Sequence, residues 1–219
     1  FAPTVLEEDI HEYFEWDDSL SWHPRGRDVS ATSQVFLHLT AATTYWIFGG
    51  GSSLYDFTIL FPVVFASLSG VVLFALVRVI GGTTAGLFSA LLYSVSIPLL
   101  IRSPIGWFKS EPLGLFFGLL VVYFLLSGIN SHNKKIAFFK LIGSGIFTAF
   151  AISAWGGSQF FILPLGIFFL CLPFLRNDHK FIIWAIPVYT ISTLLISLAF
   201  ERANSIFVSG MGGTALMLS

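Results

Sequence analysis

Long apolar runs separated by short polar breaks restrict the fold of this chain more than any other feature. A helix needs about 20 consecutive apolar residues to cross a bilayer. Runs close to that length occupy 57–79, 83–101, 112–128, 137–154, 159–175 and 181–199. A further run begins near residue 206. The sequence therefore predicts an all-α, polytopic transmembrane helical bundle with six spans and a truncated seventh.

The composition agrees with a bilayer as the solvent. Of the 219 residues, 55% are hydrophobic and 11% are charged, whereas about a quarter of the residues in soluble domains are charged. No basic stripe is present, which argues against nucleic-acid binding. Cys171 is the single cysteine, so no disulfide framework is expected. Because the chain starts at Phe1 and ends in an apolar run, we expect it to be part of a longer protein.

The N-terminal part differs from the rest. Most of the acidic residues precede position 29, and the apolar run 34–49 is short and contains several polar side chains. Unpaired polar groups in hydrocarbon cost several kcal/mol each, so this run is a poor span. We predict a helix at 34–49 that lies in or above the membrane interface, within an external loop at 1–56. Residues 57–219 then form the transmembrane domain.

The distribution of charge orients these spans. Alternate loops contain five basic residues and one acid, namely Arg78, Lys134, Lys135, Arg176 and Lys180 with Asp178. By the positive-inside rule, these loops are cytoplasmic. The remaining polar segments then share the opposite face: 1–56, 102–111, 155–158 and 200–205. We expect a multi-pass protein of the cell membrane with a polar site built from its extracytoplasmic loops.

Residues 16–28 (WDDSLSWHPRGRD) are the first candidate segment. Arg27 could fork onto phosphate oxygens, and Trp22, beside His23, could stack on a sugar. The same composition is typical of an interfacial loop, with Trp at the headgroup level and Arg on lipid phosphates, and composition alone favours that interpretation. Asp17 and Asp18 are either solvated surface or a pair of metal ligands.

Residues 102–112 (RSPIGWFKSEP) are the second candidate segment. Ser110 is a plausible N-cap, with Glu111 and Pro112 in the first helical turn. The helix dipole favours Glu111 there without any ligand. However, ionisable groups at membrane depth often mark functional sites, so Glu111 could face a metal or a phosphate-bearing substrate. Arg102 and Lys109 would then hold an anionic headgroup or pair with Glu111.

The third candidate segment is Trp155 with Gly156 and Gly157. A tight external turn with an interfacial Trp explains it without a ligand. His38 is a possible ligand, although a partnered interfacial histidine explains it equally simply. No nucleotide-binding or common hydrolase motif is present, so the residues alone indicate a polytopic membrane protein with an external polar site.

Four segments together resemble one family. Residues 22–27 (WHPRGR) are similar to a W-Y-P-x-G-R motif, 85–92 (AGLFSALL) to A-G-L-x-A-A-L-L, 102–111 to R-S-x-x-G-x-[FY]-D-x-[DE], and 155–157 to W-G-G. This series, in this order, resembles the catalytic subunit of oligosaccharyltransferase in its archaeal form. That family comprises dolichyl-phosphooligosaccharide–protein glycosyltransferases with the GT-C membrane fold.

The resemblance implies a function. It implies transfer of an oligosaccharide from a polyprenyl (dolichyl) phosphate or pyrophosphate carrier to Asn of N-x-S/T sequons, with Mg²⁺ or Mn²⁺ as cofactor. Glu111 matches the second acid of the family's second-loop motif, so it is the expected catalytic residue and metal ligand. The expected substrate-binding residues are Arg102, Lys109, Trp22, His23, Arg27 and Trp155. Lipid-linked oligosaccharide and sequon-containing protein are the expected partners.

Lys109 departs from the family pattern, because it stands where the family has the first acid of that motif. A lysine cannot ligate a cation, although it can hold a phosphate as a point charge. The other acids of the family's metal site are expected outside 1–219, so the chain alone should be inactive. Two alternatives stay open. A transporter or channel would place paired charges near mid-membrane, where Lys140 is the single candidate, and Lys109 is compatible with a non-catalytic accessory subunit.

Overall fold

A computed structural model describes residues 15–175, 179–210 and 213–214. Within these residues two short strands are followed by helices almost throughout, which confirms the predicted all-α membrane bundle. The strands are β1 (Asp17–Asp18) and β2 (Arg27–Asp28). The helices are α1 (Val29–Thr32), α2 (Val35–Phe48), α3 (Leu54–Ser94), α4 (Ile97–Arg102), α5 (Ser110–Ile129), α6 (Lys134–Ala154), α7 (Gln159–Leu175), α8 (His179–Ser197) and α9 (Glu201–Ser209).

Helix α3 is a hairpin of two antiparallel arms. Its backbone leaves the helical region at Gly82, where φ is 82° and ψ is 178°. The Tyr93 hydroxyl donates to the Ala66 carbonyl at 3.2 Å, although residues 27 positions apart would lie about 40 Å apart along a continuous helix. The chain therefore reverses at Gly82, a conformation that glycine adopts without steric cost. The break predicted at Gly81 and Gly82 lies at this reversal.

The predicted span 83–101 is not one continuous helix. The second arm of α3 ends at Ser94, and α4 begins at Ile97. Pro98 lacks the backbone N–H that a continuous helix would bond to the Ser94 carbonyl, and its ring would clash with that carbonyl. Ser96, the N-cap of α4, is extended, with φ −70° and ψ 128°. The helix restarts with proline in its first turn, where proline is tolerated.

Helices α5, α6, α7 and α8 surround the main core. It contains Val121 and Leu125 from α5, Leu141 from α6, Phe169 from α7 and Tyr189 from α8, all at most 2% exposed. Burial on this scale contributes about 1.5–3 kcal/mol per large side chain in water. In a bilayer, close packing takes over that role. By length and composition, the described helices able to cross a membrane are α3, α5, α6 and the stretch Gly156–Phe174, which covers α7 up to its last residue but one.

Helix α2 lies against one end of the bundle. Its Leu37 and Ala41 pack with Phe61 of α3, Leu113 of α5 and Ala154 of α6. The last two residues lie near the start of α5 and the end of α6, so α2 is at the end predicted to be external. The predicted helix at 34–49 is thus observed at Val35–Phe48, and its depth in the membrane stays a prediction.

The first loop also docks at this end. Strands β1 and β2 pair antiparallel, with Asp17 opposite Asp28 and Asp18 opposite Arg27. Val29, which is fully buried, packs with Val35, and Phe200, just before α9, lies against both. Residue 206, where a seventh span was predicted to begin, lies inside the short helix α9. Much of the remaining stretch, 211–212 and 215–219, is outside the described residues.

Candidate active site at one end of the bundle

Three residues singled out in the sequence line one cavity. Arg102 ends α4, Glu111 lies in the first turn of α5, and Trp155 follows α6. They border a cavity of about 340 Å³. Its other lining residues are Tyr93, Ser96, Pro98, Leu99, Ser103, Pro112 and Leu115. A charged rim on a largely apolar wall suits an amphiphilic ligand with an anionic group at the membrane edge.

Glu111 has two differently placed carboxylate oxygens. Arg102 Nη1 donates to Glu111 Oε1 at 3.4 Å, with the two side chains 59% and 22% exposed. An ion pair this exposed contributes at most about 1 kcal/mol to stability. Glu111 Oε2 is buried and has no hydrogen-bond partner among the described residues. A buried acceptor without a donor is costly, and a bound cation or a ligand proton would satisfy it.

The loop before α5 is shaped by Gly106. This glycine has φ 82°, and its N–H donates to the Ile59 carbonyl at 3.1 Å, which ties the loop to the first arm of α3. Lys109 Nζ lies 5.1 Å from the centre of the Trp107 ring, a cation–π contact. Arg102 and Lys109 were both predicted to pair with Glu111 or to hold an anion. Arg102 forms the ion pair with Glu111, whereas Lys109 lies over the Trp107 ring.

The predicted N-cap at Ser110 is displaced by one position. Lys109 occupies the N-cap, without a side-chain cap bond, and Ser110 is the first helical residue. Ser110 is buried, and the caps that favour serine need its hydroxyl beside the N–H groups of the first turn. Glu111 still lies in that first turn, so the favourable helix dipole predicted for it is retained.

Trp155 is held by two close glycines. A Cβ atom built on Gly114 would lie 2.4 Å from Trp155 Cβ, and one built on Gly157 would lie 2.3 Å from Trp155 Cζ2. The backbone turns at once after Trp155 through the 3₁₀ segment Gly156–Ser158, where Ser158 Oγ donates to the Ala151 carbonyl at 2.7 Å. These contacts fix the indole as a wall of the cavity.

The first-loop residues form a separate cluster at the same end of the bundle. Arg27 donates from Nε to Thr32 Oγ1 at 2.7 Å and from Nη2 to Ser33 Oγ at 2.5 Å, and its guanidinium lies 5.6 Å from the Trp22 ring centre. Trp22 is 66% exposed. His23 follows in the same turn, and none of Trp22, His23 and Arg27 lines the cavity of Glu111.

The aspartates of this loop serve local structure. Asp18 accepts from the Ser21 hydroxyl and from the backbone N–H of Leu20, and these bonds lower its pKa. Asp28 caps α1 by accepting from Ala31 N–H at 2.9 Å, which lowers its pKa likewise. In the part of the chain that the structure describes, no three His, Cys, Asp or Glu residues come together as metal ligands. Glu111 would therefore supply only part of a coordination shell.

His38 of α2 lies inside the packed end of the bundle. Burial, assisted by the charge of Arg27, lowers its pKa from 6.5 to about 4. The imidazole is therefore neutral at pH 7. A largely buried, neutral imidazole suits a structural role, which is the simpler of the two interpretations offered by the sequence.

Sequence reasoning missed several of the residues that line the cavity with Trp155. Tyr93, Pro98 and Leu99 line the cavity, yet they lie within or just after a long apolar stretch that carries no local signal of a site. Only the reversal at Gly82 brings this arm beside α5. The proline that interrupts the span is the one feature that could have pointed to an opening at this level of the membrane.

A family model and several relatives match this chain. The model, described as "Oligosaccharyl transferase STT3, N-terminal", matches residues 6–218. A subunit STT3B of a dolichyl-diphosphooligosaccharide–protein glycosyltransferase from Arabidopsis thaliana is 29% identical over 171 residues, which is 77% of this chain and 23% of that protein. The STT3 subunit of Dictyostelium discoideum is 26% identical over 196 residues, or 87% and 27% of the two chains. This chain thus spans about a quarter of these relatives.

Solved structures share the fold. The apo oligosaccharyltransferase of Archaeoglobus fulgidus superposes with a TM-score of 0.74 at 18% identity, covering 93% of this chain and 26% of that one. The oligosaccharyltransferase AglB of the same organism, in complex with an inhibitory peptide and a dolichol-phosphate, superposes with a TM-score of 0.75 at 16% identity. That superposition covers 99% of this chain and 28% of AglB. Other structures of the Archaeoglobus enzyme contain an acceptor peptide with the NVT sequon, or Zn and sulfate.

Proposed function

The chain belongs to the oligosaccharyl transferase STT3 N-terminal family, and from this premise we propose that it forms the N-terminal membrane part of an oligosaccharyltransferase. The parent enzyme transfers an oligosaccharide from a polyprenyl (dolichyl) phosphate or pyrophosphate carrier to Asn of N-x-S/T sequons. The observation that carries the proposal is the cavity in which Arg102, Glu111 and Trp155 meet at one end of a membrane bundle. The dolichol-phosphate and sequon peptide bound by the Archaeoglobus enzyme support the same substrate classes.

The two carboxylate oxygens of Glu111 suit different partners. Oε1 is engaged by Arg102, whereas the buried Oε2 has no donor among the described residues, and it would ligate a divalent cation, Mg²⁺ or Mn²⁺. Such a cation, when bound, would supply Lewis-acid stabilisation of negative charge on the carrier phosphate. Carboxylate and water oxygens are the ligands these hard cations prefer. The Zn in one Archaeoglobus structure supports metal binding in the family without identifying the ion here.

The basic residues would hold the carrier phosphate. Arg102 uses only Nη1 for Glu111 in the described structure, which leaves two donor nitrogens for phosphate oxygens. Lys109 would add a point charge on the same loop, where the family has an acid. Trp155 and Leu99 would cover the first carbons of the lipid and exclude water from the reacting phosphate. In a site shielded from water, such charge interactions strengthen.

The first-loop cluster would bind the polar part of a substrate. Trp22 is exposed enough to stack on a sugar, and Arg27 holds its ring in place while it is itself fixed by Thr32 and Ser33. His23 lies in the same exposed turn. We place the site on the extracytoplasmic face, because the basic loops with Arg78, Lys134 and Lys135 are at the opposite end of the bundle and the positive-inside rule makes that end cytoplasmic.

The proposal is tested by transfer of a lipid-linked glycan to a sequon peptide, with the full-length parent protein in detergent and Mn²⁺. Glu111→Gln keeps the size of the side chain and removes its charge, so transfer should fall at least about 100-fold. Glu15→Gln, the same change at an exposed loop position outside the cavity, is the matched control and should transfer normally. Equal transfer by wild type and Glu111→Gln would refute the role of Glu111. No transfer by wild type with an authentic donor would favour an accessory subunit.

A further inference from the structure

A second cleft lies at the opposite end of the bundle. It is a shallow, open cleft of about 270 Å³, lined by Lys134, Lys135, Phe138 and Phe139 of α6 and by Trp184 of α8. The Trp184 ring is fixed by Phe181 at 4.8 Å and faces Phe138 at 6.3 Å between ring centres. The cleft therefore has an aromatic floor and two ammonium groups at its rim.

The depth of this cleft in the membrane follows from α6. This helix begins at Lys134 and ends at Ala154, beside the external cavity. Its 21 residues span about 31 Å, which matches the hydrocarbon thickness of a bilayer of about 30 Å. If the cavity of Trp155 lies at one membrane surface, the two lysines lie at the headgroup level of the other. Phe138, Phe139 and Trp184 then face the outer part of the acyl chains.

The charge at the cleft is positive and uncompensated within the described residues. Lys134 and Lys135 are exposed, and neither makes an ion pair there. The third lysine of this helix, Lys140, is engaged elsewhere, because its Nζ donates to Ser127 Oγ at 2.5 Å. The N-terminal N–H groups of α6 add partial positive charge at the same point. A singly or doubly charged anion with an apolar tail complements this arrangement.

We propose that the cleft binds an anionic glycerophospholipid of the bilayer, with its phosphate between Lys134 and Lys135 and an acyl chain along Phe138, Phe139 and Trp184. The aromatic walls distinguish this ligand from a soluble phosphate, which would leave them uncovered in the membrane. Each lysine near an anionic headgroup strengthens binding about fivefold. The site is independent of the glycan-transfer site, which lies at the other end of α6.

Trp184 provides the readout for the experiment. The protein is reconstituted in phosphatidylcholine vesicles containing increasing fractions of brominated phosphatidylglycerol or brominated phosphatidylcholine, and tryptophan fluorescence quenching is measured. The quenching that disappears in Trp184→Phe is the signal from the cleft. It should half-saturate at a several-fold lower fraction of brominated phosphatidylglycerol than of brominated phosphatidylcholine.

Charge variants then separate a site from general surface attraction. Lys134→Ser and Lys135→Ser should each raise the phosphatidylglycerol fraction at half-saturation about fivefold. Arg78→Ser removes the same charge from an exposed residue at the same end but outside the cleft, and should change nothing. Lys134→Arg with Lys135→Arg keeps the charge and should retain preference for the anionic lipid. Equal quenching by both lipids, or an effect of Arg78→Ser equal to that of Lys134→Ser, would overturn the proposal.

Discussion

Substitution of Gly114 by alanine tests whether the position of Trp155 sets the activity of the proposed site. The new Cβ would lie 2.4 Å from Trp155 Cβ, where ordinary contacts begin near 3.4 Å, so the two backbones must separate by about 1 Å. No rotamer change relieves this contact, because Cβ moves only with its backbone. Overpacking costs about 1–3 kcal/mol, and alanine recovers about 1 kcal/mol of helix propensity. The net loss of stability is therefore small, about 1 kcal/mol.

The effect on transfer should be much larger than the effect on stability. A misplacement of 1 Å in a positioned site reduces rates by about 100-fold. We expect Gly114→Ala to lower kcat for glycan transfer by about that factor while the melting temperature falls by only a few degrees. Gly143→Ala is the matched control, since its Cβ would meet the movable Phe124 ring at 3.3 Å, and it should transfer normally. Normal transfer by Gly114→Ala, or equal losses in both variants, would refute the reasoning.

Three other predictions follow from contacts at other positions. Arg102→Gln should lower stability by less than about 1 kcal/mol, because its ion pair with Glu111 is exposed, while KM for the lipid-linked donor rises at least tenfold; a large drop in melting temperature would contradict this. Gly145→Ala should destabilise the protein by about 3 kcal/mol in thermal melting, since its Cβ would lie 2.7 Å from the backbone carbonyl oxygen of Tyr189, which cannot rotate away; unchanged melting would show that α6 and α8 are less tightly packed. Between pH 6.5 and 4, His38 is largely protonated in the unfolded chain but not in the folded chain, so acidification should remove about 3 kcal/mol of stability. Thermal melts at pH 7 and pH 4.5 measure this loss, and His38→Gln should reduce the dependence of the melting temperature on pH.

Most of the helices could be placed from the sequence, because most of the apolar runs have about the length that a bilayer requires. The run 83–101 was an exception, since it is divided between the second arm of α3 and α4. The break at Gly81 and Gly82 was also visible, since paired glycines rarely continue a helix. What could not be read was the partner of each helix. The contact of Tyr93 with Ala66, and the position of α5 beside both arms of α3, depend on packing between segments that are distant in the sequence. A run of Leu, Phe and Val carries no pattern that specifies such partners.

The candidate site was predicted in part. Ionisable residues at membrane depth are rare, so Arg102 and Glu111 were recognisable, and Trp155 was added by the resemblance. The three line a common cavity, and the side of the membrane on which it lies stays a prediction. Their roles stay predictions. The pairing of β1 with β2 was missed, because two-residue strands leave no periodic pattern. The cation–π contact of Lys109 with Trp107 was also missed, although the two residues are only two positions apart.

The contact between Val29 and Phe200 has a consequence for biosynthesis. These residues are about 170 positions apart, and a ribosome adding about 5–20 residues per second needs roughly 10–30 seconds to cover that distance. During this interval the first loop has emerged, but the aromatic side chain that covers Val29 and Val35 has not been made. Docking of the loop must therefore be a late event, and until then its apolar surface is available to chaperones on the side of the membrane to which it has been delivered.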